Sequence, residues 1–168
     1  MNPIQMMLSR TIEQYGMAIQ FVFPTEEHPG HHFAYTIGMT DIGQPELILF
    51  GCPQEVVGHV FNVMFAGIKE GAIPRDLDKI DDVLGVSLLA HKTTTTEASK
   101  YAVQCLEYYH RRGKQPEFKQ LLWPDANGVY PHQDGFDEKY KQQQPYIACE
   151  SSELTTEQIS RSSDTPSP

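Results

Sequence analysis

The run Leu47-Ile-Leu-Phe50 most constrains what this chain can fold into. Four apolar residues without alternation, bounded by Pro45-Glu46 before and Gly51 after, read as a strand covered on both faces, hence the middle of a sheet. Two more extended segments precede it. Met17, Ile19, Phe21 and Phe23 alternate with Ala18, Gln20 and Val22, and Phe33-Ala-Tyr-Thr-Ile-Gly38 follows after a polar loop. Three strands in succession exclude strict βα alternation.

Helical periodicity flanks these strands. Asn2 and Pro3 form an N-cap and first-turn pair, Ile4, Met7, Leu8, Ile12 and Tyr15 recur at helical steps, and Gly16 is the stop. Pro53 opens a second helix whose Val56, Val57, Val60, Phe61, Met64 and Ile68 form a wide apolar stripe closed by Gly71. Ala72 to Asp82 reads as an irregular, solvated stretch. Its four aspartates lack the glycine and the closing glutamate of an EF-hand loop. Val83 to Lys92 is a strand or a bent strand pair around Gly85. Thr94-x-x-Glu97 is a capping box, and the helix it starts turns Ala98, Tyr101, Ala102, Cys105, Leu106 and Tyr109 inward and stops at Gly113. Phe118 to Trp123 is the last strand. The expected fold is a single α+β domain over residues 1–148, a mixed or mainly antiparallel sheet with about three packed helices. Residues 149–168, dominated by Ser, Thr, Glu and Pro, have the composition of a disordered tail.

With 168 residues, the chain can bury roughly two-thirds of its unfolded surface. The net charge of −9 argues against nucleic-acid binding through phosphate contacts. Cys52, Cys105 and Cys149 are odd in number and far apart, so neither a disulfide framework nor a zinc ribbon is expected. With no signal peptide and no apolar run long enough for a bilayer, the expected location is the cytoplasm, away from membranes. Phosphate-cradling glycine motifs and the nucleophile elbow are absent, so no cofactor is expected.

The candidate site centres on Gln120-Leu-Leu-Trp-Pro-Asp125 and the turn that follows. Trp123 and Tyr35 would supply flat walls able to stack on a ring, and Glu46 and Asp125 would accept hydrogen bonds. Gln120 or His132 would fix orientation. Each residue has a purely structural alternative. One of Tyr35 and Thr36 faces the core and bonds within the sheet, Glu46 pairs with a cation, and Asp125 bonds its own turn. His28, His31 and His32 share one loop but have no partner at a metal-ligand spacing, so no metal is expected there.

Tyr15-Gly16, Phe33-Ala-Tyr-Thr-Ile-Gly38, Pro45-Glu46 and Gly51, followed by Gln120 to Asp125, Gly128, Tyr130-Pro131 and Gln144-Pro145, resemble the bacterial Domain of Unknown Function 4262 family. The resemblance runs from about Ile12 to Ile147. It implies a small intracellular bacterial or phage-borne protein of α+β type and implies no activity. Where that family often has Trp after the proline equivalent to Pro131, this chain has His132.

Three functions are therefore in view. The leading expectation is a small-molecule-binding module, its ligand nucleotide-derived, held between the Tyr35–Gly38 strand and the Trp123–Asp125 turn by Tyr35, Thr36, Glu46, Gln120, Trp123, Asp125 and His132. The second is a metal-assisted or acid/base hydrolase using a histidine with Asp125 or Glu46. The third is an acidic inhibitor acting on a protein partner.

Overall fold

The structure, a computed structural model, describes residues 1–148 except His28, Gly30 and His31. The expected tail and two of the three loop histidines thus lie outside the described residues. Helix α1 (Pro3–Tyr15) begins as its cap pair dictates, with the Asn2 carboxamide oxygen accepting the Gln5 N–H. It ends at Gly16, in the left-handed region at φ 85°. Strands β1 (Ala18–Val22) and β2 (Phe33–Ile37) follow, then a 3-10 turn at Met39–Ile42 and β3 (Glu46–Phe50). After α2 (Gln54–Lys69) come β4 (Lys79–Ile80), β5 (Leu88–Thr93), α3 (Thr95–Ser99), α4 (Val103–His110), β6 (Phe118–Leu122) and α5 (Glu138–Lys141).

One mixed sheet runs β1-β2-β3-β6-β5-β4, antiparallel except for the β3–β6 pair. Every residue of β3 is buried, as its unbroken apolarity requires of a central strand. Helix α2 covers one face, packing Val57, Val60, Phe61 and Met64 on Ala34, Leu47, Leu49, Ala90 and Leu121. The other face carries α1, α3 and α4, with Leu8, Ile12, Ala98, Cys105 and Tyr109 over Tyr35, Ile48, Phe50 and Phe118. This is an α+β architecture with a helical layer on each side of an open sheet.

Three local expectations are corrected. The segment 72–82 is not wholly irregular: it holds β4, a two-residue edge strand paired to β5. Between Val83 and Lys92 only Leu88 onward is strand, the preceding residues forming bends. The capping box starts a helix as expected, Thr94 Oγ1 accepting the Glu97 N–H, but that helix breaks at Lys100–Ala102 into two. Nothing on α4's own N-cap residue satisfies its first turn. The Tyr35 hydroxyl, from the sheet, accepts the Gln104 N–H instead.

Candidate functional site

The expected convergence of seven side chains on one hollow does not occur. Glu46 opposes Phe118 at the start of β6, whereas Asp125 lies three residues beyond its end. At the rise of an extended strand, that separation is about 20 Å. Tyr35 belongs to the core layer under α1 and α4, while Trp123 packs against the layer under α2, so the two supposed walls stand on opposite faces.

Most of the seven are committed to the fold. Glu46 is fully buried, and its carboxylate accepts from the Thr36 hydroxyl at 2.9 Å, the Met39 and Thr40 amides at 3.0 and 2.8 Å, and the Thr40 hydroxyl at 2.6 Å. Those donors open the 3-10 turn, so the carboxylate caps it, and the Thr36 hydroxyl in turn accepts the Leu47 N–H. No cation is needed to satisfy it. Burial pushes the Glu46 carboxyl up to about 6 against the pull of these hydrogen bonds. Tyr35 is buried, with its hydroxyl on Gln104.

Trp123 donates its indole N–H to the Phe50 carbonyl at 2.7 Å, and its ring lies against Gly51. A Cβ at Gly51 would stand 3.0 Å from Trp123 Cζ2 and 2.8 Å from the Gln143 carbonyl. Asp125 is 6% exposed, its carboxylate accepting the amides of Asn127, Val129 and Asp137. Burial acts to raise its pKa, but these hydrogen bonds outweigh it and hold the carboxyl below its ordinary value. This is the turn chemistry that Asp followed by Asn and Gly affords in sequence.

Gln120 and Gln144 form a clasp. Gln120 donates to the Pro145 carbonyl and accepts from Ile147 and Ala148, and Gln144 closes a reciprocal pair with the Trp123 N–H and C=O. Two side-chain amides thus do for residues 144–148 what a ladder does for a strand.

That segment lays Tyr146 over β5, and there a different cluster appears. Opposite Gln120 in register stands His91, 5% exposed. His91 Nδ1 lies 2.9 Å from an Asp76 carboxylate oxygen and Nε2 lies 2.9 Å from the Tyr146 hydroxyl. An ionised carboxylate only accepts, so Nδ1 carries the proton. Asp76, its side chain 45% exposed, also accepts the Lys92 amide. Burial raises the Asp76 pKa, and the bonds from His91 and Lys92 more than reverse it, leaving the carboxyl below its ordinary value.

His132 joins the cluster from the turn after Trp123. Its ring centroid is 6.0 Å from that of His91, 6.5 Å from Tyr146 and 6.1 Å from Tyr130. It is half-buried, and its Nδ1 is buried without a hydrogen-bond partner. Burial and the neighbouring His91 hold its imidazole below the ordinary histidine value, with Asp76 pulling the other way. Of the seven residues, His132 and Gln120 meet this cluster, while Tyr35, Thr36, Glu46, Trp123 and Asp125 do not. Asp76, His91 and Tyr146 were not expected. Alternation with Leu89 and Thr93 was the one signal that could have turned His91 inward, whereas Asp76 and Tyr146 arrive from loops with no periodicity.

Two concavities among the described residues hold none of the seven. One of about 550 Å³ lies between Thr95 and the α4 end, with Leu106, Glu107, Lys114 and Pro116. Its Glu107 and Lys114 are already paired with Arg111 and Asp41. His32 borders a smaller one of about 200 Å³ among Phe21, Phe23, Phe33 and Cys52. Among the described residues no group of three His, Cys, Asp or Glu side chains is placed to hold a metal ion. No helix among them is long and apolar enough to cross a membrane.

Fold and cluster together define a class: a single α+β domain with a two-faced mixed sheet and a polar ring cluster under its last described segment. The model of the family described as Domain of unknown function (DUF4262) matches residues 11–137, and the chain belongs to that family. No curated protein and no solved structure matches.

Proposed function

We propose that this protein is a small-molecule-binding module whose contact surface is the Tyr130–His132 turn and Tyr146, with His91 beneath. The observation that carries the reading is the His132 imidazole. It is half-buried among three other rings with Nδ1 lacking a partner, and an unpaired buried nitrogen costs free energy that a ligand group can recover. The aromatic edges suit a flat ligand, and the imidazoles suit one with its own donors and acceptors, as in a nucleotide-derived base. Glu46 and Asp125, whose oxygens serve the backbone, take no part.

The test is a thermal-shift panel of bases, nucleosides and nucleotides on the wild-type chain and on His132→Ala. A ligand that raises the wild-type Tm and fails to raise that of the variant supports the reading. Equal shifts in both, or none across the panel, overturn it.

A further inference from the structure

We propose that His91 Nε2, His132 and Tyr146 Oη form the ligand set for one divalent transition-metal ion, with Asp76 holding His91 from behind. The inference deepens the binding reading, because it rests on the same cluster and names the first ligand to enter it.

Four observations converge. First, His91 Nε2 and Tyr146 Oη are 2.9 Å apart, and two donors on one tetrahedral zinc-sized ion stand roughly 3.3 Å apart. Second, the three rings form a near-equilateral triangle, with centroids 5.9, 6.0 and 6.5 Å apart. Bond lengths of roughly 2 Å to an ion at the centre place imidazole and phenol centroids roughly 5–6 Å from one another, so small side-chain rotations complete the set. Third, His91 gives its remaining ring N–H to a carboxylate, the arrangement that fixes the tautomer and raises the basicity of a metal-bound histidine. Fourth, His132 Nδ1 is a buried nitrogen with no other partner to give up.

The donor set selects the ion. Two neutral imidazoles and a phenolate oxygen favour zinc, copper or cobalt over magnesium or calcium, which prefer carboxylates, carbonyls and water. Coordination displaces the phenol proton to solvent. Three protein donors leave one position of a tetrahedral ion open for water or for a donor atom of a bound small molecule.

The experiment uses the full-length chain, stripped with a chelator and dialysed, in wild-type, His132→Ala, Tyr146→Phe and Asp76→Asn forms. Each is titrated with Zn²⁺ by calorimetry and with Co²⁺ by visible absorption. His132 is half-buried, so His132→Ala is the decisive variant, and an unchanged circular dichroism spectrum without metal confirms its fold. The expected result is one ion per wild-type chain with tetrahedral Co²⁺ bands. Affinity should be lost in His132→Ala, weakened at least tenfold in Tyr146→Phe, and weakened 10–100-fold in Asp76→Asn. No saturable one-to-one binding, or equal affinity in wild type and His132→Ala, overturns the inference. The thermal-shift panel repeated with chelator separates the two claims. A His132-dependent organic ligand that still binds leaves the binding reading standing and removes the metal.

Discussion

Removing the Glu46 carboxylate tests whether the cap on the 3-10 turn, rather than a ligand, explains this residue. In Glu46→Ala the Met39 and Thr40 amides lose their acceptor inside the protein, at about 1–3 kcal/mol each, and the side chain leaves a small void. Against this, a carboxyl raised from 4.5 to about 6 is held ionised at neutral pH at a cost of about 2 kcal/mol, which the substitution relieves. The net expectation is a loss of about 3 kcal/mol, or about 6–12 °C in Tm for a domain of this size. Glu46→Gln keeps one acceptor oxygen and sheds the charge, so it should cost less than Glu46→Ala. The sign of the pH dependence follows from the raised pKa. The folded state holds this proton more tightly than the unfolded chain does, so the contribution is full below 4.5 and is lost as pH rises through 6. Urea unfolding between pH 4 and 8 should show that fall in the wild type and a flatter profile in Glu46→Gln. A Glu46→Ala chain within 0.5 kcal/mol of wild type at pH 7.5, on the error scale of about 10–15% that such extrapolations carry, would refute the capping argument.

Three further substitutions probe the frame around the site. A Cβ at Gly38, where φ is 133°, would stand 2.4 Å from the Gly16 carbonyl oxygen. Gly38→Ala should therefore unfold the chain or cost about 4 kcal/mol or more, whereas Gly43→Ala, at φ 74° with nothing within 4 Å, should cost only about 1 kcal/mol in the same urea titration. Gln120→Leu takes the acceptor from the Ile147 and Ala148 amides. Hydrogen exchange at those two amides should quicken at least tenfold while α2 amides keep their protection, because the loss is local.

Period and punctuation made most of the framework legible. Asn2-Pro3, Gly16, the alternation from Met17 and the unbroken Leu47–Phe50 each act within a few residues, and each element stands where they put it. Strand β4 escaped notice because its two residues offer no period, and Leu77 and Asp82 flank it at positive φ. The break between α3 and α4 is set by packing, with the Tyr35 hydroxyl from the sheet serving as the second helix's cap. The site was misread for a related reason. Residue type marks Trp123, Glu46 and Asp125 as chemically able, but only the fold shows their polar atoms already spent on the backbone. Those same residues carry the family resemblance, together with Gly38, Gly51 and Gln144, and what they do here is hold chain segments together.

The glutamine clasp carries the packed structure past the family signature. The family match closes at residue 137, yet Gln144 engages the Trp123 backbone and Ile147 and Ala148 complete Gln120. A chain cut at the family boundary would lose Gln144, strip the Gln120 amide of its partners, uncover the β5–β6 face and carry away Tyr146. The packed fold therefore reaches at least to Ala148, past its signature, and a fragment defined by similarity alone would be missing a wall.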